Sequence, residues 1–169
     1  MEVFKGNFTQ QEPLPQDAID AAVNVLNSGR LHRYNLKEGD AGEVSSLELE
    51  FAKSIGADFC LAVASGGYAL ATALRAIDVK PAQKVLTNAF TLAPVPGAIA
   101  SINAVPLVVE VTENLTIDLD DLEAKASQSE VLLLSHMRGH ICDMDKLMQI
   151  ANRHRIKVIE DCAHTMGAG

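Results

Sequence analysis

From Phe59 onward the chain alternates short, mainly apolar runs with stretches of helical periodicity, and no other feature of the sequence limits the fold so tightly. The runs are Phe59 to Ala64, Lys84 to Thr87, Pro106 to Val111, Val131 to Ser135 and Lys157 to Glu160. Helical spacing occupies Tyr68 to Ile77, Pro94 to Ile102, Leu119 to Ala126 and Asp143 to His154. Successive side chains of a strand point to opposite faces, so a strand that is apolar throughout has to be covered on both. Strands linked by single helices run parallel, because each helix is a crossover that returns the chain to the same edge. The expected fold class is therefore α/β, a doubly wound, mostly parallel sheet with helices on both faces.

The first 58 residues follow another pattern. Residues 1–12 are polar and run into Pro13 and Pro15, which suits an arm. Ile19, Ala22, Val23 and Leu26 recur at helical spacing up to Gly29; Val44, Leu47, Phe51, Ala52 and Ile55 do the same up to Gly56. Between them, Arg30-Leu31-His32-Arg33-Tyr34-Asn35 sets cations and a histidine around an aromatic ring. That loop reads equally as a solvated connector or as a reach toward an anionic substrate or a neighbouring subunit, with His32 and Tyr34 as the candidate contacts. The expected organisation is an N-terminal arm with helices over 1–58 and an α/β domain over 59–169.

Charge and cysteine usage narrow the function. With 22 acidic against 14 basic side chains, the net charge is −8, and no basic cluster is present. Nucleic acid and anionic membrane are therefore poor partners. No stretch reaches the run of about 18 apolar residues that a membrane span requires, and the N-terminus has no apolar leader, so a cytoplasmic protein is expected. Cys60, Cys142 and Cys162 show no CxxC spacing and are expected to be reduced.

The chemistry concentrates just after the apolar runs. In Lys157-Val158-Ile159-Glu160-Asp161-Cys162-Ala163-His164-Thr165-Met166-Gly167 two carboxylates follow a strand directly, at the sheet edge where ligands of open α/β folds bind. Glu160 and Asp161 are one pleat step apart, so they point to opposite faces and need not share a role. A carboxylate among apolar neighbours needs a cationic or hydrogen-bonding partner. Ser65-Gly66-Gly67 opens a helix after another run, where backbone amides suit a phosphate. Phe90 follows a third run and offers either a core side chain or a flat face to a ligand; aromatic residues make up only 4% of the chain. His136 and His140, with Cys142 and Asp143 close by, suggest zinc. Ligation at that spacing needs a helix, whereas Gly139 follows a strand, so a loop is expected and no metal.

These segments resemble the DegT family of sugar aminotransferases, pyridoxal-phosphate (PLP) enzymes of the aspartate-aminotransferase fold; the run VIEDCAHTMGA is the closest to a family signature. The resemblance implies that Asp161 pairs with the pyridinium nitrogen, that His164 lies beside the ring near its phenolic oxygen, and that Phe90 stacks on the ring. Ser65, Gly66 and Gly67 would cradle the phosphate, with Gly67 standing where the family commonly has threonine. The family has a similar His-x-x-Gly loop at His136 to Gly139, ahead of an Asp-Met-Asp helix start matched by Asp143-Met144-Asp145; His136 is a candidate substrate contact, and Asp143 is expected to cap the next helix. The resemblance further implies a homodimer that passes an amino group from a donor such as glutamate to a keto sugar nucleotide. The lysine that bonds the cofactor is expected beyond Gly169, since no lysine here sits at a strand's carboxyl end. A related sugar dehydratase, with histidine at that position, or a truncated non-catalytic relative that binds cofactor or partner, are the alternatives.

Overall fold

The computed structural model describes residues 6, 11–34, 39 and 42–168; most of the expected arm, and Asn35 of the cationic loop, lie outside them. The chain divides into two compact units, Met1–Cys60 and Leu61–Gly169.

The first unit contains helices α1 (Gln16–Ser28) and α2 (Glu43–Ile55). Gly29 and Gly56 both adopt φ 68°, the left-handed conformation that closes a helix at little cost to glycine. Arg33 binds both carboxylate oxygens of Glu48, at 2.8 and 2.9 Å.

The second unit is the α/β layer. Its elements are α3 (Gly66–Ala76), β1 (Lys84–Asn88), α4 (Pro94–Ser101), β2 (Val105–Val109), α5 (Leu119–Lys125), β3 (Val131–Ser135), α6 (Met144–His154) and β4 (Lys157–Asp161). The four strands form one parallel sheet in the order β2-β1-β3-β4. Side chains alternate as the apolar runs demand. Val85, Val131 and Leu133 pack with α3 and α4 on one face, whereas Leu86, Leu132 and Leu134 pack with α5 and α6 on the other. Asp118 caps α5 and Asp143 caps α6, each accepting from backbone amides of the first turn.

One expected strand does not form. Residues 59–64 are irregular, and Phe59 is 90% exposed. An apolar run signals burial, but a strand also needs a neighbour whose backbone matches it, and hydropathy carries no record of that neighbour.

The chain steps from β1 outward to β2 through α4, then crosses back past β1 to β3 through α5. The winding direction thus reverses between β1 and β3, which makes their carboxyl ends the switch point of the sheet. The ladder is correspondingly short there: β1 and β3 pair only at Leu86↔Leu132 and Thr87↔Leu133, against five positions in each of the other two pairings. Beyond those two rungs the buried Asn88 side chain takes over. Its Oδ1 accepts from the Ser135 amide at 2.9 Å, and its Nδ2 donates to the Ser135 carbonyl at 3.1 Å and to the Phe90 carbonyl at 2.9 Å. Asn88→Ala leaves those backbone groups buried without partners, so it should lower the free energy of unfolding in urea by about 1–3 kcal/mol.

Asp121 performs a similar joining role after the outer strand β2, accepting from the Glu110 amide at 2.7 Å and from Lys125 Nζ at 2.7 Å. The Glu110 amide, and after it the Lys125 ammonium, hold the Asp121 carboxyl below its ordinary value. A depressed carboxyl contributes stability that is present above its ordinary pKa and is lost as pH falls through the folded value. The unfolding midpoint should therefore fall on acidification from the ordinary carboxylate range through the depressed folded value, and less steeply in Asp121→Asn.

Candidate functional site

The site takes shape where strands end. Helix α3 leads through a short loop into the amino end of β1 and packs along the sheet, so it runs opposite to the strands. Its N-terminus therefore lies at the carboxyl edge, as does that of α4. A Cβ built on Gly67 would come 3.8 Å from Pro94 Cβ, so the two N-termini are adjacent. Ser65 caps α3, its Oγ accepting from the Tyr68 amide at 3.3 Å. A Cβ on Gly66 would meet no atom within 4 Å, and neither Gly66 nor Gly67 has positive φ. The glycines are thus not required by the backbone itself, and they leave the amides of this turn open to approach.

Asp161 lies on the same face of the sheet as α3, since β4 alternates Ile159 toward the α3 and α4 cluster and Val158 toward the α5 and α6 cluster. It pairs in register with Ser135. Its Oδ2 accepts from Ser135 Oγ at 3.3 Å and its Oδ1 from the Ala163 amide at 3.2 Å, while its main-chain carbonyl accepts from the His136 amide at 3.2 Å. Both donors to the carboxylate are neutral and distant, and two oxygens offer about four lone-pair positions, so the half-buried carboxylate retains capacity for a charged donor.

Glu160 faces the other way. Its Oε2 lies 2.9 Å from Nε2 of His136, which is 3% exposed, and Cys162 Sγ completes a group whose ligand atoms lie within 4.8 Å of one another. His136 and His140 go to different partners. A turn at Met137–Gly139 separates them, sending His136 to Glu160 and His140 edge-on to Phe90, with ring centroids 6.4 Å apart at 74°. His164 is exposed in the turn after β4, and its Nδ1 accepts from the Arg138 amide at 3.2 Å.

Among the described residues three side-chain hydroxyls, Thr87, Thr91 and Thr165, are buried without a hydrogen-bond partner. All belong to this edge: Thr87 is the penultimate residue of β1, Thr91 lies in the loop after it, and Thr165 lies in the turn after β4. Native interiors leave few such groups, and their concentration marks the edge as built for polar chemistry.

The second unit thus gathers Ser65, Gly66, Gly67, Phe90, Asp161 and His164 at one sheet edge, and His136 at the same edge on the opposite face. His32 and Tyr34 belong to the first unit, where their rings stack at 5.0 Å and 20°. A cavity of about 500 Å³ in that unit is lined by Arg30, His32 and Arg33 among others. Sequence reasoning did not assign Asn88 or Ser135. A polar residue as the last position of a strand with an apolar centre, as in both KVLTN and VLLLS, is the signal that would have found them.

The profile of the DegT/DnrJ/EryC1/StrS aminotransferase family matches residues 15–169. Over 157 residues the chain is 36% identical to a dTDP-3-amino-3,6-dideoxy-alpha-D-galactopyranose transaminase of Aneurinibacillus thermoaerophilus, covering 90% of this chain and 41% of that protein. Among solved structures, an aminotransferase from Psychrobacter cryohalolentis superposes with a TM-score of 0.85 at 28% identity, covering 96% of this chain and 40% of that one. NtdA from Bacillus subtilis, solved with bound cofactor PMP, gives a TM-score of 0.77 at 26% identity, covering 90% of this chain and 34% of that one. The first relatives are spanned over 41%, 38% and 41% of their length, so this chain corresponds to well under half of each. A profile match over nearly the whole chain, with the parallel sheet these structures share, makes the chain a member of the DegT/DnrJ/EryC1/StrS aminotransferase family.

Proposed function

We propose that this chain supplies the cofactor-holding part of a PLP-dependent sugar aminotransferase that passes an amino group from a donor such as glutamate to a keto sugar nucleotide. The observation that carries the reading is the state of Asp161, a half-buried carboxylate at the sheet's carboxyl edge that meets only neutral donors, on the same face as the open N-terminus of α3. When bound, PLP supplies an electron sink and carries the amino group between substrates. The residues present fit it: a carboxylate for the ring nitrogen, an exposed imidazole beside it, amides for the phosphate, and orphaned hydroxyls along the same edge.

Each residue then has a task. Asp161 holds a proton on the ring nitrogen by offering a full negative charge to it. Ser135 Oγ and the Ala163 amide fix the carboxylate plane, so its remaining lone pairs point in one direction. Ser65 orders the first turn of α3, leaving the Gly66 and Gly67 amides and the helix dipole to receive phosphate. Phe90 lends a ring face, its orientation set by the edge contact with His140. His164 contributes a polar contact beside the ring, and His136, with His32 and Tyr34, is assigned to substrate. Asp161→Asn keeps the shape and removes the charge. In the complete enzyme it should lower turnover by about 100-fold or more with little change in thermal unfolding. A destabilised protein that keeps a near-normal rate would instead assign Asp161 a purely structural role.

The reading extends to a cytoplasmic homodimer with no metal, in keeping with the exposed Val23, Leu26, Leu47 and Ile55 of α1 and α2. Sedimentation at micromolar concentration should give a dimer; a clean monomer would count against it.

A further inference from the structure

We propose that the Met137–Gly139 turn fixes His164 as a single neutral tautomer, with the ring proton on Nε2, so that this side chain acts as a donor toward whatever occupies the carboxyl edge. The argument starts from a bond whose direction is not negotiable. A backbone N–H can only donate, and the Arg138 amide meets His164 Nδ1 at 3.2 Å, so Nδ1 carries a lone pair. A neutral imidazole has one acceptor and one donor nitrogen; with Nδ1 accepting, the proton is on Nε2. His164 is exposed, and among the described residues its Nε2 has no hydrogen-bond partner, so the donor is available to a ligand.

The turn is shaped for this contact. It is closed by the Gly139 amide on the His136 carbonyl at 3.0 Å and the His140 amide on the Met137 carbonyl at 3.2 Å. Inside it Arg138 adopts φ 58° and ψ 20°, a left-handed conformation that is unfavourable for a non-glycine residue. Strain at a residue whose amide then meets a site histidine is the kind retained for function. The neighbouring Gly139 has φ 81°, and a Cβ there would lie 3.5 Å from the His164 carbonyl oxygen, so the turn and the 162–165 segment are in direct contact. Both partners hang from adjacent strand ends: the turn from β3, and His164 from β4 through the Thr165 amide on the Cys162 carbonyl at 3.0 Å. Arg138 is thus a positioning residue, acting through its main chain. The inference rests on the proposed function only for the identity of the acceptor, a phenolic oxygen on the cofactor ring; the tautomer itself is a property of the protein alone.

The test is a long-range 15N–1H correlation spectrum of the cofactor-free protein labelled at histidine, with His164 assigned by its loss in His164→Gln. One imidazole should show the fixed Nε2–H pattern, and the Arg138 amide should exchange with solvent about 10-fold more slowly than in His164→Gln. Arg138→Gly retains an amide and tolerates left-handed backbone, so it should keep the pattern. Arg138→Val resists that backbone and should give the averaged signals of two interconverting tautomers. If Arg138→Val does not fold, Gly139→Ala strains the same turn and is read in the same way. Averaged signals in the unmutated protein, an Nδ1–H pattern, or a valine variant identical to the parent would overturn the proposal. Cofactor binding measured alongside separates the two readings: a fixed tautomer without PLP binding sinks the function proposed above, and PLP binding with mixed tautomers sinks this one.

Discussion

The Asn88 side chain holds together the part of the molecule on which everything else hangs. At a switch point two parallel strands must part, because the chain winds away from them in opposite directions, and parting strands lose ladder hydrogen bonds where a ligand crevice opens. A carboxamide is the one uncharged side chain that presents a donor and an acceptor with the spacing of a peptide group. Asn88 therefore replaces a missing rung between β1 and β3 and, through the Phe90 carbonyl, fixes the first residues of the following loop. Ser135, held by that rung, is in turn the residue whose hydroxyl reaches Asp161. Sheet integrity and carboxylate orientation are one network.

Much of this was legible in the sequence, because the legible parts depend on local patterns. Four of the five apolar runs became parallel strands, and the helices between them were recognisable from periodicity and from capping residues such as Asp143. Glu160 and Asp161 could be assigned to opposite faces from the pleat alone, and the structure turns Glu160 to His136 and Asp161 to Ser135. What could not be read were properties that depend on a partner distant in the chain. Residues 59–64 look like a strand until a pairing neighbour is required. Asn88 looks like a turn residue until Ser135, 47 positions later, is placed beside it. The link between Arg138 and His164 is invisible to side-chain reasoning, since the group involved is a main-chain amide.

The two polar layers at the carboxyl edge differ in character. On the α3 and α4 face the donors around Asp161 are neutral and long, leaving electrostatic capacity unspent. On the α5 and α6 face Glu160 and the buried His136 satisfy each other at 2.9 Å. The first arrangement is suited to receiving a charged group and the second to securing strand ends, which explains how adjacent carboxylates in one short motif avoid competing for the same partner.

Because β4 presents its two acids to opposite sides, the length of the segment joining α6 to β4 is a hidden determinant of chemistry. Arg155, in left-handed backbone at φ 58°, and Ile156 make the whole connection. Adding or deleting a single residue there would shift the strand by one position and exchange the faces of Glu160 and Asp161 without altering either. The composition of the motif would survive intact while its meaning inverted, so among descendants of this chain insertions should be far rarer in this connection than substitutions within it.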